Sequence, residues 1–141
     1  MVWRVPLLTV QALVALTSAA GGLALMLGPS VGSLGITPPP GYLEGTPFDS
    51  YLVPGLILLV VVGGTHLLAF VLLLGRRPWA PAASAVAGCG ILVWIFVQMV
   101  IIPFSFLQAV YFGAGLLELV LVLLLLGVLN PRWSREVVRR P

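Results

Sequence analysis

The chain has 141 residues, of which 60% are hydrophobic and 8% are charged, and its mean hydropathy is +1.17. A soluble domain carries about 25% charged residues, so this composition excludes one and predicts an integral membrane protein. The net charge of +3 comes with one cysteine and one histidine, which excludes an internal disulfide, a paired-thiol redox site and a bis-histidine haem site within the chain.

Four segments are long and apolar enough to cross a bilayer as helices, which takes about 20 residues for a hydrocarbon core of roughly 30 Å. They are predicted at Val5 to Leu27, Tyr51 to Leu74, Ala82 to Ile102 and Phe106 to Leu129. These spans occupy most of the chain and leave no room for a soluble domain. The sequence therefore predicts an all-α, polytopic membrane protein with a single domain over residues 1–141, built as an up-down-up-down bundle of four transmembrane helices.

Proline and glycine mark the predicted end of the first span and the loop after it. Gly28 and Pro29 are predicted to end the helix, and the outer loop over residues 28–50 is rich enough in both residue types to predict an extended chain. At the end of this loop, Ser50 or Asp49 is predicted to cap the second helix.

The third connection is predicted to be a tight turn. Pro103 ends the third helix, and Ser105 is the predicted N-cap of the fourth, with Gln108 three residues later completing a capping box. Helices three and four therefore form a hairpin at the outer face. Asn130 is predicted to end the fourth helix, and residues 130–141 form a basic cytoplasmic tail.

All seven basic residues are arginines, and their positions predict the orientation. Arg4 precedes the first span, Arg76 and Arg77 join the second to the third, and the other four follow the last span. The positive-inside rule then places the middle loop and both termini in the cytoplasm. The tail arginines are predicted to contact anionic lipid headgroups; they are Arg132, Arg135, Arg139 and Arg140.

An alternative for the N-terminus stays open. The start "MVWR", the apolar run after it and the small residues "TSAAGG" also fit a secretory signal with a cleavage site. The apolar run is longer than an ordinary signal core, which favours a retained span. Cleavage would leave three spans with the C-terminus still inside.

Every predicted span contains a pair of glycines. Helices in lipid associate mainly by close packing, so small residues indicate where two backbones approach each other. The glycines predicted to pack helices are Gly21, Gly22, Gly63, Gly64, Gly88, Gly90, Gly113 and Gly115.

Glu118 is the most informative residue, because a carboxylate near the bilayer centre costs several kcal/mol and must face the bundle interior or find a partner. His66 lies ten residues from Arg76, and Glu118 twelve from Asn130. At about 1.5 Å per residue, their depths differ by roughly 3 Å, so the two side chains can meet.

Other polar residues fall on the same interior face. A stripe on the fourth helix carries Gln108, Tyr111 and Glu118, and the third helix adds Ser84, Trp94 and Gln98, with weaker support from Gln11 and Ser18 on the first. The ligand or proton-relay candidates are His66, Glu118, Tyr111, Gln98 and Gln108.

Three functions fit this interior. In the first, which the sequence favours, His66 and Glu118 satisfy each other and fix helix register in a non-enzymatic component of a membrane assembly. In the second, the interior binds an apolar ligand with one polar end, such as a quinone or a lipid, held by His66 or Glu118. In the third, the two residues relay protons or bind a cation in a small transporter, which would require an oligomer.

The remaining expectations are negative or general. No catalytic residue and no metal site is predicted, and a quinone is the one cofactor that the binding alternative allows. The predicted partners are the bilayer and either further copies of the chain or other membrane subunits. Four arginines beside a membrane are too few to predict nucleic-acid binding.

One segment resembles a known family. In "TPFDSYLVPGLILLVVVGGTHLLAFVLLLG", residues 46–75, a "PF" loop leads into a helix with paired glycines and a glycine stop. This is similar to the DoxX-like group of small bacterial membrane proteins. The resemblance implies a four-helix fold in the bacterial inner (plasma) membrane and, for some members, a subunit linked to quinones or oxidative stress.

Overall fold

The computed structural model describes residues 2–31 and 38–128. It is 79% helix, and the described part contains no strand, so the all-helical prediction is confirmed. Four helices are long and apolar enough to cross a membrane. They are α1 (Arg4–Val31), α2 (Leu52–Leu74), α3 (Ala80–Ile101) and α4 (Phe106–Leu125).

The helices pack as a ring in chain order. α1 contacts α2 and α4, and α3 contacts the same two helices from the other side. The start of α1 lies beside the end of α2, because the Arg4 guanidinium donates to the carbonyls of Leu73 at 3.0 Å and Leu74 at 2.8 Å. α1 and α2 are therefore antiparallel, and Arg4 adds donors to carbonyls in the last turn of α2, where the helix itself supplies few.

The bundle has mainly apolar side chains on its outside and several polar side chains in its interior, which suits an apolar environment. Leucine, valine and phenylalanine side chains cover much of the outside, whereas six polar side chains of the described residues are buried. An apolar surface of this extent marks a membrane or protein contact. The buried polar residues are Gln11, Ser18, His66, Ser84, Gln108 and Glu118.

The first helix and the outer loop differ from the sequence expectations. α1 continues to Val31, past the predicted end at Gly28 and Pro29. Pro29 lies in the last turn, where its missing N–H removes one hydrogen bond just before the helix ends. The loop that was expected to be extended also contains a 3₁₀ turn over Pro40–Leu43, which begins on a proline whose fixed φ suits a helical start.

The N-cap of α2 differs from the predicted one. Tyr51 occupies the N-cap position, and its side chain makes no capping bond. The Ser50 hydroxyl instead accepts the Leu52 N–H at 3.4 Å, a local turn just before the helix. The capping box of α4 is confirmed, because the Ser105 hydroxyl accepts the Gln108 N–H and the Gln108 Oε1 accepts the Ser105 N–H.

α4 ends earlier than predicted. Its last residue is Leu125 rather than Leu129, and Gly127 follows in the left-handed region at φ +73°. The N–H of Gly127 reaches the Leu124 carbonyl, and the N–H of Val128 reaches Leu123, both at 3.1 Å. This is the Schellman pattern, in which a glycine with positive φ closes the helix before Asn130 is reached.

α2 contains a wide turn that the sequence did not predict. Residues Ile57–Gly63 form a π-helix between two α-helical pieces, Leu52–Leu56 and Gly64–Leu74. π-helical turns are rare and occur frequently at functional sites. This one lies directly before His66.

Five of the eight predicted packing glycines lie against another helix. A Cβ on Gly22 would stand 2.7 Å from the Gly55 carbonyl oxygen, and one on Gly115 would stand 2.8 Å from Ile91 Cγ2. Gly55, which was not predicted, therefore forms the closest crossing of α1 and α2. The other packing glycines with a neighbour are Gly21, Gly63 and Gly88.

The other three glycines have no close neighbour on another helix among the described residues. A Cβ at any of them would meet no atom within 4 Å, contrary to the packing role expected for them. Each is therefore open to its surroundings rather than to a neighbouring helix. They are Gly64, Gly90 and Gly113.

Candidate functional site: a buried network and an apolar cavity

One polar residue from each of the four helices meets at the centre of the bundle. Gln11 comes from α1, His66 from α2, Ser84 from α3 and Glu118 from α4, and each has an exposed fraction of 0%. We call these four residues the buried network. The predicted meeting of His66 and Glu118 occurs, with His66 Nε2 3.0 Å from Glu118 Oε2.

Hydrogen bonding orients the imidazole ring of His66. His66 Nδ1 lies 2.7 Å from the Val62 carbonyl oxygen, which only accepts, so Nδ1 carries a proton. The other ring nitrogen, Nε2, then lies beside Glu118 Oε2, in a contact of 3.0 Å that is close but not aligned as a hydrogen bond.

Gln11 completes the network from the opposite side. Its Nε2 donates to Ser84 Oγ at 2.7 Å and to Glu118 Oε1 at 2.9 Å. Ser84 Oγ in turn donates to the Ala80 carbonyl at 2.8 Å. Both carboxylate oxygens of Glu118 therefore have a polar neighbour, and every helix is tied to the network.

The buried network does not resemble a metal centre. Within residues 2–31 and 38–128, no three His, Cys, Asp or Glu side chains come together as metal ligands. The network is also closed to solvent, since all four residues are fully buried. Its hydrogen bonds join side chains from different helices.

The other three ligand candidates lie elsewhere. Gln98, Gln108 and Tyr111 line a cavity of about 510 Å³, and neither His66 nor Glu118 lines it. The single polar interior expected from the sequence is thus divided into two regions. The volume is within the roughly 300–1,000 Å³ of small-molecule sites.

The cavity lies at the end of the bundle opposite Arg4. All four helices contribute to its wall, together with the outer loop at Pro38 and Tyr42 and the turn between α3 and α4 at Phe104. Most of the lining is apolar. No Arg, Lys, Asp, Glu or His lines it among the residues that the structure describes.

Three polar atoms on lining residues are buried and have no hydrogen-bond partner in the part of the chain that the structure describes. They are Ser18 Oγ, Trp94 Nε1 and Gln108 Nε2. Ser18 is 1% exposed and Gln108 is 3% exposed, so bulk water does not satisfy them. A buried donor without a partner costs about 1–3 kcal/mol, and such groups call for a ligand or an ordered water.

The outer loop covers this end of the bundle. The Tyr51 hydroxyl donates to the Pro39 carbonyl at 2.8 Å and fixes the loop against the start of α2. Burial raises the pKa of Tyr51, and the nearby Tyr42 raises it further. A second cavity of about 70 Å³ lies beneath the loop, beside Leu43 and Tyr51.

Sequence reasoning identified part of each region. It placed Gln11 and Ser84 on interior stripes but did not choose them as site residues, because a single glutamine or serine in a helix is common. The unsatisfied Trp94 indole was not predicted either, since periodicity does not show which side chains lack a partner. The predicted lipid contacts of the tail lie outside the described residues; they involve Arg132, Arg135, Arg139 and Arg140.

Comparison of the chain with protein-family models, with curated proteins and with solved structures gave no match. The resemblance of residues 46–75 to DoxX-like proteins therefore stays an expectation from the sequence. The function has to be argued from the network and the cavity.

Proposed function

We propose that this chain is a non-enzymatic membrane protein whose cavity binds an apolar ligand with one polar end, of the lipid or quinone class. The observation that carries the proposal is the group of three buried polar atoms without partners on the wall of an otherwise apolar cavity. Small-molecule sites combine an apolar wall with a few placed polar groups in this way.

The polar end of the ligand belongs beside Gln108, Trp94 and Ser18. The sequence favoured His66 or Glu118 for this role, but neither residue lines the cavity, and their side chains already contact each other. We assign the buried network to helix register instead. A tie between all four helices keeps the cavity wall in one arrangement.

We further propose that the four helices cross a bacterial inner membrane with both termini in the cytoplasm. Arg4 contacts the end of α2 next to Arg76 and Arg77, so three cationic side chains gather at one end of the bundle. Glu44 and Asp49 lie in the loop at the other end. This distribution supports an orientation with the arginines inside.

Cysteine labelling in intact cells tests the orientation. In a Cys89→Ala background, a membrane-impermeant maleimide should label Asp49→Cys from outside and should label Arg77→Cys only after the cells are opened. The opposite pattern would reverse the topology. Both positions are exposed in the structure, so access to the thiol depends on the side of the membrane.

Ligand retention tests the binding function. Protein extracted gently with its native lipids should carry a bound amphiphile in native mass spectrometry. Ala24 lines the cavity, whereas its neighbour Leu23 is 45% exposed on the outside. We expect Ala24→Trp to fill the cavity and remove the bound molecule, and Leu23→Trp to keep it.

Equal retention in both tryptophan variants would refute the binding proposal.

The second candidate is a structural component of a membrane assembly, either with copies of itself or with other subunits. It is favoured by the buried network, whose polar groups already hold one another without a ligand. In that case, the extracted protein would carry partner subunits rather than an amphiphile.

A further inference from the structure

We infer that the cavity selects a neutral amphiphile whose polar end carries carbonyl oxygens. This inference rests on the proposed binding function and assigns the chemistry of the ligand's head. Three observations support it: which polar atoms lack partners, how those atoms are held in place, and the absence of charged side chains around them in the described part of the chain.

The capping box orients Gln108. Its Oε1 accepts the Ser105 backbone N–H at 3.0 Å, so the amide cannot turn over without breaking the cap of α4. The atom left over is Nε2, which carries two N–H donors and has no partner. The start of α4 thus holds a fixed donor without a partner on a residue that lines the cavity.

A second donor comes from α3. The indole nitrogen of Trp94 is a donor only, and it is buried without a partner. Ser18 on α1 adds a hydroxyl that can donate or accept. Two of the three free atoms can only donate, so the complementary head must accept. Carbonyl oxygens meet this requirement, whereas an ammonium head offers donors only.

The lining also excludes a charged head. A carboxylate or phosphate would find donors here but no cationic side chain among the described lining residues. Burying an ion in an apolar wall without a counter-charge is strongly unfavourable. The rest of the wall is built from residues such as Leu58, Ile91 and Ile95, which suit an apolar chain.

Three amphiphiles with the same tail test the head chemistry. Purified full-length protein is incubated with methyl dodecanoate, dodecanoate or dodecylammonium, and retention is measured by native mass spectrometry. We expect the ester to be retained and the two ions to be lost. A benzoquinone with a dodecyl tail, compared with the ester, shows which source of carbonyl oxygens binds more tightly.

Two variants remove the donors one at a time. Trp94→Phe keeps the aromatic shape and should weaken ester binding about fivefold, the effect of one neutral hydrogen bond. Gln108→Glu keeps the capping-box acceptor but replaces the amide donor by a carboxylate, so ester binding should fall and dodecylammonium binding should rise. Trp79→Phe, at a residue 74% exposed and outside the cavity, is the matched control.

Equal retention of all three heads by the wild type, with Ala24→Trp removing each, would overturn the selectivity and leave the binding function standing. Retention that no cavity variant changes would overturn both. The inference would be established if the wild type prefers the ester and Gln108→Glu shifts the preference toward the ammonium. A purely structural effect would weaken the binding of every ligand alike.

Discussion

The buried network and the cavity both place polar side chains inside the same apolar bundle, yet the two regions treat those side chains differently. In the network, Gln11, His66, Ser84 and Glu118 contact one another and leave no space for a ligand. The cavity of about 510 Å³ is lined by Ser18, Trp94 and Gln108, each of which carries a buried polar atom without a hydrogen-bond partner among the described residues. Both regions contain buried polar atoms without a hydrogen-bond partner, among them Gln11 Oε1 in the network. The difference is that the network residues are bonded to one another and lie away from the cavity, which indicates a structural role, whereas the unpartnered residues of the second region line a cavity, which indicates a binding role.

The largest expected effect comes from breaking the ion pair of the network. His66→Leu leaves the Glu118 carboxyl buried beside a hydrocarbon side chain and should lower the free energy of unfolding by about 3 kcal/mol. Titration with a denaturing detergent, followed by tryptophan fluorescence, measures this loss.

The double variant is the control for that measurement. With Leu at both His66 and Glu118, no charged group is left uncompensated, and we expect a smaller loss than for His66→Leu alone. If His66→Leu cost no stability, the network would not be the structural tie described here, and the contrast with the cavity would disappear.

The fold was largely predictable because its main determinants are local in the sequence. Span length and hydropathy predicted four helices, and the spacing of Ser105 and Gln108 predicted a capping box that the structure contains. Helix ends were less predictable. Pro29 lies within α1, and Gly127 ends α4 before Asn130, because the last turns depend on individual hydrogen bonds rather than on composition.

The site was predictable only in part. The similar depth of His66 and Glu118 along their helices predicted a contact between them, and the structure has the two side chains in contact. Depth alone did not show that Gln98 and Tyr111 lie in a separate cavity, because that depends on how the helices and the outer loop diverge. The π-helical turn before His66 also had no counterpart in the sequence pattern.

The second-largest expected effect comes from a substitution at the crossing of α1 and α2. It tests whether this crossing is as rigid as the network. Gly22→Ala would bring a Cβ to 2.7 Å from the Gly55 carbonyl oxygen, so a backbone has to move. We expect a loss of about 2 kcal/mol in unfolding free energy, as for other overpacked interiors. The same detergent titration measures it.

The neighbouring glycine provides the matched control. A Cβ on Gly21 would meet only the end of the Leu58 side chain, at 3.4 Å, which is ordinary contact. Gly21→Ala should therefore leave stability nearly unchanged. Equal effects at the two positions would show that the Gly22–Gly55 crossing is not a rigid contact between α1 and α2.

The same substitution, serine to alanine, can be made in the network and in the cavity lining, and the two changes in stability compare the regions directly. Ser84→Ala removes a hydroxyl that accepts from Gln11 and should cost about 1 kcal/mol. Ser18→Ala removes a buried hydroxyl without a partner, so the ligand-free protein should keep or gain stability. Thermal unfolding of delipidated protein compares the two. A loss of similar size at Ser18 would mean that its hydroxyl is already satisfied inside the protein.

The smallest effect concerns the loop over the cavity and appears only at alkaline pH. Burial, with a further contribution from Tyr42, raises the pKa of Tyr51 above its usual value of 10.0, so the folded state favours the neutral phenol. The stabilisation is complete below the unfolded pKa and is lost as the pH rises through the higher, folded pKa. Ionisation also removes the proton that Tyr51 donates to Pro39. Ligand release should therefore accelerate above about pH 10, whereas Tyr51→Phe should release ligand faster at neutral pH and lose this alkaline step. An unchanged alkaline step in Tyr51→Phe would assign the titration to another group.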